Sequence, residues 1–202
     1  MKQFTRWLIA ISAVLLPFSA IADVTEYTLV IDREPVNITG KTVERITING
    51  GIPGPILEFT EGDEAVIHVV NKLDEPTSVH WHGLLLPPEM DGVPGLGGYE
   101  AIKAGETFTY RFTLRQNGTY WYHAHSGTQE QDGHYGALVI YPKDEPVVQA
   151  DRDYVVLLSD FSNEIGQQIF NNLKKSPHYY NYSQRTVGDF FSEVREQGLA
   201  SA

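Results

Sequence analysis

Polar and apolar residues alternate over several short segments between residues 25 and 141, and Gly, Pro and Asn separate these segments. The alternation is most regular at residues 107–113, where three aromatic residues are interleaved with four polar ones. A period of two residues predicts β-strands with one buried face. Further strands are predicted at residues 27–31, 65–71, 118–123 and 137–141. Short strands joined by turns indicate an all-β Greek-key sandwich or barrel.

The pattern changes after Pro142. Residues 143–146 are charged and contain a proline, which is typical of a linker, and residues 153–159 predict another strand. Helices are predicted at residues 163–175 and 186–197. In the second helix, apolar residues recur at helical spacing, and we interpret this stripe as ordinary packing: Val187, Phe190, Phe191 and Val194.

We therefore divide the chain at residue 145. Residues 23–145 are expected to form one β-domain, and residues 146–202 a linker and the incomplete start of a second domain with a strand and short helices.

Residues 1–22 have the three parts of a secretory signal peptide. Lys2 and Arg6 give a basic start, an apolar run follows, and the small residues before Asp23 predict cleavage after Ala22. The run is shorter than the ~20 residues that span a bilayer, so we expect no membrane span after cleavage. Because there is no twin-arginine pair, we predict Sec-type export to the periplasm or beyond.

Composition narrows the class of protein further. The formal net charge is -11 and no basic patch stands out, which argues against a nucleic-acid partner. The acidic surface could serve solubility or could attract metal cations. The chain has no cysteine, so no disulfide supports the fold and no thiolate is available to a metal.

Four of the seven histidines form two His-x-His pairs, His80 with His82 and His123 with His125. Residues two apart on a strand share one face, about 6.6 Å apart along the strand. Imidazole suits copper, zinc, iron and nickel. If the two strands are neighbours, the four imidazoles converge in a metal cluster. The alternative is a set of surface or hydrogen-bonded histidines.

The neighbours of these pairs are expected to support them. Trp81 and Ala124 should point away from the metal and pack in the interior. Trp121, with the tyrosines at 120 and 122, is interpreted as an aromatic anchor for the second strand. Gly83 follows the first pair, where a bulkier residue would crowd the site.

The other three histidines carry weaker signals. His68 lies in an apolar strand and is expected to be a core or edge residue. His134 lies in a glycine-rich loop and is predicted to be solvent-exposed, with contact to a metal ligand as the alternative. His178 lies in the C-terminal segment and gives no signal.

These segments resemble a known family. The residues around the two pairs look like the first two copper motifs of multicopper oxidases: His80-Trp81-His82-Gly83 and Tyr120-Trp121-Tyr122-His123-Ala124-His125-Ser126. Further segments narrow the resemblance to the periplasmic copper-resistance protein A-like branch: residues 71–78, 90–95, 104–110, 179–181 and 184–191. The resemblance covers essentially the whole chain after residue 22.

The resemblance implies a cupredoxin (plastocyanin-like) fold for residues 23–145 and the start of a second cupredoxin domain in residues 146–202. It implies a trinuclear copper cluster at the interface of the first and last domains of the family. By the same resemblance, His80 is a ligand of the type 2 copper. The remaining three, His82, His123 and His125, are ligands of the type 3 pair.

The chain departs from the family after Ser126. The family completes its cluster with C-terminal motifs, one of them His-Cys-His, and nothing here resembles them. The chain therefore has half of the cluster ligands and cannot form a type 1 copper site. We consider three hypotheses. The chain is the truncated N-terminal part of an oxidase that needs the missing domains in cis or in trans, or a free-standing copper-sequestering protein without oxidase activity, or a structural module with vestigial histidines.

Overall fold

Two four-stranded sheets form most of the computed structural model, which describes residues 23–144, 150–182 and 185–199. The predicted signal peptide at residues 1–22 lies outside the described residues. The strands are β1 (Val24–Val36), β2 (Val43–Ile48), β3 (Leu57–Thr60), β4 (Glu64–Asn71), β5 (His80–His82), β6 (Thr107–Thr113), β7 (Gly118–His123) and β8 (Tyr135–Tyr141). The helices are a short 3-10 turn (Pro88–Met90), α1 (Gly166–Lys175) and α2 (Val187–Gln197).

The first sheet has the strand order β2-β1-β4-β6 and the second has the order β3-β8-β7-β5. Both sheets are mixed, because β1 pairs parallel with β4 and β3 pairs parallel with β8. One apolar core joins them, and Trp81 of the second sheet contacts Tyr110 of the first with ring centroids 5.1 Å apart. The predicted all-β sandwich is confirmed.

The predicted strands correspond to β1, β4, β6, β7 and β8, with ends shifted by a few residues in some of them. β2 and β3 were not predicted. The last four residues of β2 are all buried, although two of them are polar. Arg45 and Thr47 are as buried as Ile46 and Ile48. β3 has only four residues, too few to show a period.

The strand predicted at residues 153–159 is wrong, since no strand occurs there. The segment contains a run of five apolar residues, yet Tyr154, Val156 and Leu158 are all exposed. A strand forms only where a neighbour accepts its backbone hydrogen bonds, and the described part of the chain offers none beside this segment.

Both predicted helices are present with shorter N-terminal ends. α1 begins at Gly166, and α2 begins after Thr186, whose hydroxyl accepts the Asp189 N–H in a capping box. The apolar stripe of α2 does not pack as expected, because no residue of this helix is buried. None of the helices in the described ranges is long and apolar enough to cross a membrane.

The segment before α1 is held to the β-domain by a buried guanidinium. Arg45 is 2% exposed and donates to the carbonyl oxygens of Ser162 and Glu164, both at 2.8 Å. Asp132 Oδ1 accepts the first helical N–H of α1, from Gly166, at 2.8 Å. A charged donor bonded to two carbonyls is stronger than a neutral pair, so Arg45 is the main anchor of this segment.

We predict that Arg45→Met releases the segment before α1 while the sandwich stays folded. Loss of the charged hydrogen bonds costs about 1.5–3 kcal/mol, so amide exchange at residues 160–172 should accelerate by about tenfold or more. Hydrogen exchange detected by mass spectrometry measures this. Arg111→Met, which removes an exposed ion pair with Glu64, is the control and should leave these amides unchanged.

Candidate metal centre

The register between β5 and β7 brings the two His-x-His pairs together. The strands are antiparallel, with His80 opposite His123 and His82 opposite Trp121. Since alternate residues share a face, three imidazoles lie on the same side of the sheet. Their ring centroids are 5.4–5.5 Å apart. One nitrogen from each of His80, His82 and His123 lies within 4.8 Å of the other two.

His125 lies two residues beyond the end of β7 and is the outermost member of the group. Its ring centroid is 5.7 Å from that of His80 and 6.2 Å from that of His123. Its backbone N–H donates to the buried hydroxyl of Ser78 at 3.1 Å. The four imidazoles therefore share one side, with three close together and the fourth farther out.

Backbone carbonyls determine which ring nitrogens carry protons. His80 Nδ1 lies 2.7 Å from the Asp91 carbonyl oxygen, and His123 Nδ1 lies 2.9 Å from that of Ala124. A carbonyl can only accept, so both Nδ1 atoms donate and both Nε2 atoms keep a lone pair for a metal. His82 Nδ1 lies 3.2 Å from His123 Nε2, so nitrogens from two strands face each other.

Two carboxylates lie on the far side of these imidazoles. Asp91 Oδ2 is 3.5 Å from His80 Nδ1, and Glu130 Oε2 is 2.9 Å from His123 Nδ1. Burial lowers the pKa of His123, while the Ala124 carbonyl and Glu130 oppose that shift and the neighbouring His80 and His82 add to it. A lowered pKa favours the neutral imidazole, which is the form that binds metals.

Trp121 lies on the same side of β7 as the paired imidazoles, which was not foreseen. Its ring stacks on that of His123 with centroids 4.1 Å apart and on that of His82 at 5.0 Å. Of the three aromatic residues predicted as the anchor, Tyr122 is fully buried and donates to the Pro55 carbonyl, and Tyr120 packs against the core. The alternation that places His123 and His125 on one face also applies to residue 121 and could have identified it.

The predictions for the residues next to the paired histidines are confirmed in part. Trp81 and Ala124 are buried on the opposite face, as expected. Gly83 has a φ of 84°, and a Cβ there would meet the ring of Tyr120 at 3.4 Å. The glycine is therefore required by its left-handed backbone, and the expected crowding of the metal site is not the reason.

The exposure predicted for His134 is wrong, because this residue is fully buried. Its carbonyl accepts the Ala124 N–H, which extends the pairing of β7 and β8 and turns residue 134 toward the core with Gly136 and Leu138. Its Nδ1 lies 3.3 Å from Thr77 Oγ1, and burial lowers its pKa to about 3. The imidazole is therefore neutral in ordinary buffers.

His68 and His178 lie outside the cluster of potential ligands. His68 is half-buried in β4, with Nε2 3.0 Å from Glu26 Oε1 and Nδ1 2.8 Å from Thr109 Oγ1. These contacts agree with the expectation that His68 is a hydrogen-bonded strand residue.

A glycine keeps the Asp91 loop against β5. Gly92 has a φ of 76°, and a Cβ there would lie 1.7 Å from the Val79 carbonyl oxygen. This contact lets the carbonyl of Asp91 reach the His80 ring. The donor set fits a transition metal, because two unprotonated Nε2 atoms and a third imidazole converge within one ion's reach.

Comparison with known proteins agrees with the resemblance of the sequence to multicopper oxidases. The profile of the family described as multicopper oxidase matches residues 30–145. The chain is 46% identical over 190 residues to Copper resistance protein A of Escherichia coli, covering 94% of this chain and 31% of that protein. It is 48% identical over 185 residues to Copper resistance protein A of Pseudomonas syringae pv. tomato, covering 92% and 30%. The chain thus spans about a third of the length of these relatives.

Solved structures of multicopper oxidases and laccases share the fold. A multi-copper oxidase from Pseudomonas thermotolerans matches with a TM-score of 0.59 and 34% identity, covering 62% of this chain and 31% of that one. A mutant of the laccase from B. aclada matches with a TM-score of 0.65 and 35% identity, covering 77% and 29%. The predicted cupredoxin-like sandwich is confirmed by these matches.

We predict that Gly92→Ala destabilises the chain by about 3 kcal/mol or more, because a backbone carbonyl occupies the place of the new methyl group. Urea unfolding measures this. Gly95→Ala is the matched control, since Gly95 also has a positive φ but open space around it, and should cost only about 1 kcal/mol. Equal costs for the two variants would contradict the close approach to Val79.

Proposed function

The chain belongs to the multicopper oxidase family, whose metal is copper, and we propose that its four paired histidines are ligands of a trinuclear copper cluster. In this proposal His80 binds the type 2 copper, and the type 3 pair is bound by His82, His123 and His125. The observation that carries it is the register of β5 and β7, which gathers imidazoles from both strands on one face.

The geometry supports a division of these histidines between different ions. His82 Nδ1 and His123 Nε2 face each other at 3.2 Å, which favours one ion bound between them. His80 offers its own Nε2, because the Asp91 carbonyl occupies its Nδ1. His125 stands farther out and suits a further ion. Three imidazole environments thus support three copper positions.

A complete cluster of this kind supplies the redox chemistry that reduces dioxygen to water. The residues of this chain orient the imidazoles, hold the Nδ1 protons and cover one side of the cluster with the Trp121 ring. They provide half of the ligands, and His82 and His125 are exposed on the side where further ligands would approach. We propose that domains supplying these ligands complete the site in cis or in trans.

Transfer of electrons to the cluster also requires a type 1 copper site, which another part of the protein or another chain must supply. A blue copper site needs a thiolate, and this chain contains no cysteine. We therefore propose that the chain acts in copper resistance or homeostasis as the ligand-donating N-terminal part of an oxidase, and that it does not turn over alone. Residues 1–22 would direct it to the periplasm.

A free-standing copper-sequestering protein is the second candidate. It is favoured by one observation: the nitrogens of His80, His82 and His123 lie within 4.8 Å of one another, so one ion can be held without another domain. This candidate requires a reproducible copper stoichiometry in the isolated chain and no oxidase activity.

We predict that the double variant His80→Ala/His123→Ala loses copper binding. Each substitution removes a nitrogen donor, so the affinity should fall by more than the roughly 10- to 100-fold that loss of an outer partner costs. Competition with a chelator of known affinity measures this. The variant His68→Ala/His178→Ala removes the same number of imidazoles outside the cluster and should bind as the parent does. Unchanged binding in the first variant would refute the ligand assignment.

We also predict that the purified, copper-loaded chain oxidises neither a phenol nor Cu(I) above the rate of free copper at the same concentration. The reason is the absent thiolate and the open half of the cluster. Oxygen consumption and the visible spectrum measure this. Clear turnover accompanied by a blue absorption band would contradict the proposal.

A further inference from the structure

We propose that Glu130 is a positioning residue that makes His123 a stronger ligand for a divalent copper ion than for a monovalent one. This inference rests on the proposed function, because it presupposes that His123 binds copper. It assigns a role to a carboxylate outside the four histidines.

The contact that suggests this role lies on the ring edge opposite the metal-facing nitrogen. Glu130 Oε2 is 2.9 Å from His123 Nδ1, and this nitrogen donates its hydrogen bond to the Ala124 carbonyl, also at 2.9 Å. The other nitrogen, Nε2, faces His82. A carboxylate beside the far N–H of a ligating imidazole raises the basicity of that imidazole.

The surroundings of the pair let the charge act on the ring. His123 is buried, so the field of a neighbouring carboxylate is less screened there than at the surface. The Glu130 side chain is half exposed, which keeps the carboxylate hydrated and avoids the cost of burying a charge. A buried imidazole is thus in contact with a hydrated carboxylate.

The backbone of Glu130 is held from both sides independently of its side chain. Gln129 is buried and bonds to Thr77 Oγ1 at 2.7 Å and to the Pro76 carbonyl at 2.9 Å. Asp132 bonds to the Gly166 N–H. The side chain of Glu130 can therefore be changed without moving the loop, and a substitution at such an exposed position costs within about 0.5 kcal/mol.

The charge of the carboxylate should affect the two oxidation states of copper differently. Coulomb attraction scales with the product of the charges, so a nearby negative charge favours Cu(II) over Cu(I). A purely geometric role would weaken both oxidation states to a similar extent. The ratio of the two affinities therefore separates the electrostatic role from a structural one.

The test compares Glu130→Gln with the parent in the purified full-length chain. Glutamine keeps the size of the side chain and a carbonyl acceptor but removes the charge. Chelator competition under air with Cu(II), and under anaerobic reduction with Cu(I), gives the two affinities. We expect Cu(II) affinity to fall by about tenfold and Cu(I) affinity to fall clearly less. Thermal unfolding in the absence of copper verifies that the fold is retained.

Glu106→Gln is the matched control. It removes the same charge from an exposed glutamate that precedes β6, in the sheet that does not carry the paired histidines, and both affinities should stay at the parent values. If the parent binds copper, three results would overturn the inference. Glu130→Gln could lose Cu(II) and Cu(I) affinity equally, it could lose neither affinity, or Glu106→Gln could lose as much Cu(II) affinity as Glu130→Gln. A parent chain that binds no copper would overturn the proposed function as well.

Discussion

The register of two short strands is the constraint on which the metal-binding arrangement depends. β5 and β7 pair so that His80 faces His123, and their alternate residues Trp81 and Tyr122 enter the core. A slip by one residue would turn the imidazoles inward and the two large aromatic rings outward. Trp81 and Tyr122 are fully buried, and burial of such rings is worth roughly 1.5–3 kcal/mol each. Burial of these two rings thereby keeps the imidazoles together on the opposite face.

The sequence allowed prediction of those features that depend on local periodicity. The face shared by each His-x-His pair follows from the pleat of a strand, and the alternation at β6 gave its bounds without error. The pairing of β5 with β7 was only a condition of the hypothesis, because no local pattern specifies which strands become neighbours. The structure supplies that pairing.

The predictions that were wrong share a cause. Burial and strand pairing depend on the whole fold and not on the sequence of one segment. Residues 153–159 have the apolar run of a buried strand, but no strand pairs with them among the described residues. His134 lies between glycines that suggested an exposed loop, yet the continued pairing of β7 and β8 turns it inward. In β2, Arg45 and Thr47 are as buried as the two isoleucines, and the sequence does not reveal the burial of these polar residues.

One loop, residues 126–134, connects the metal site with the rest of the chain. Glu130 reaches His123, the Gln129 side chain reaches Thr77 and Pro76 in the segment before β5, and Asp132 reaches the first turn of α1. The same few residues thus contact the metal face, the core and the C-terminal segment.

The close approach of Gly92 to Val79 has a thermodynamic consequence for metal uptake. It fixes the Asp91 carbonyl, and with it the His80 ring, while the sandwich forms. The entropy of ordering this ligand is therefore lost during folding, before any ion arrives. Small metal domains that are unfolded without their ion spend binding energy on that ordering. For His80, the proposed copper ligand, the free energy of metal binding is therefore not reduced by the ordering of its ring.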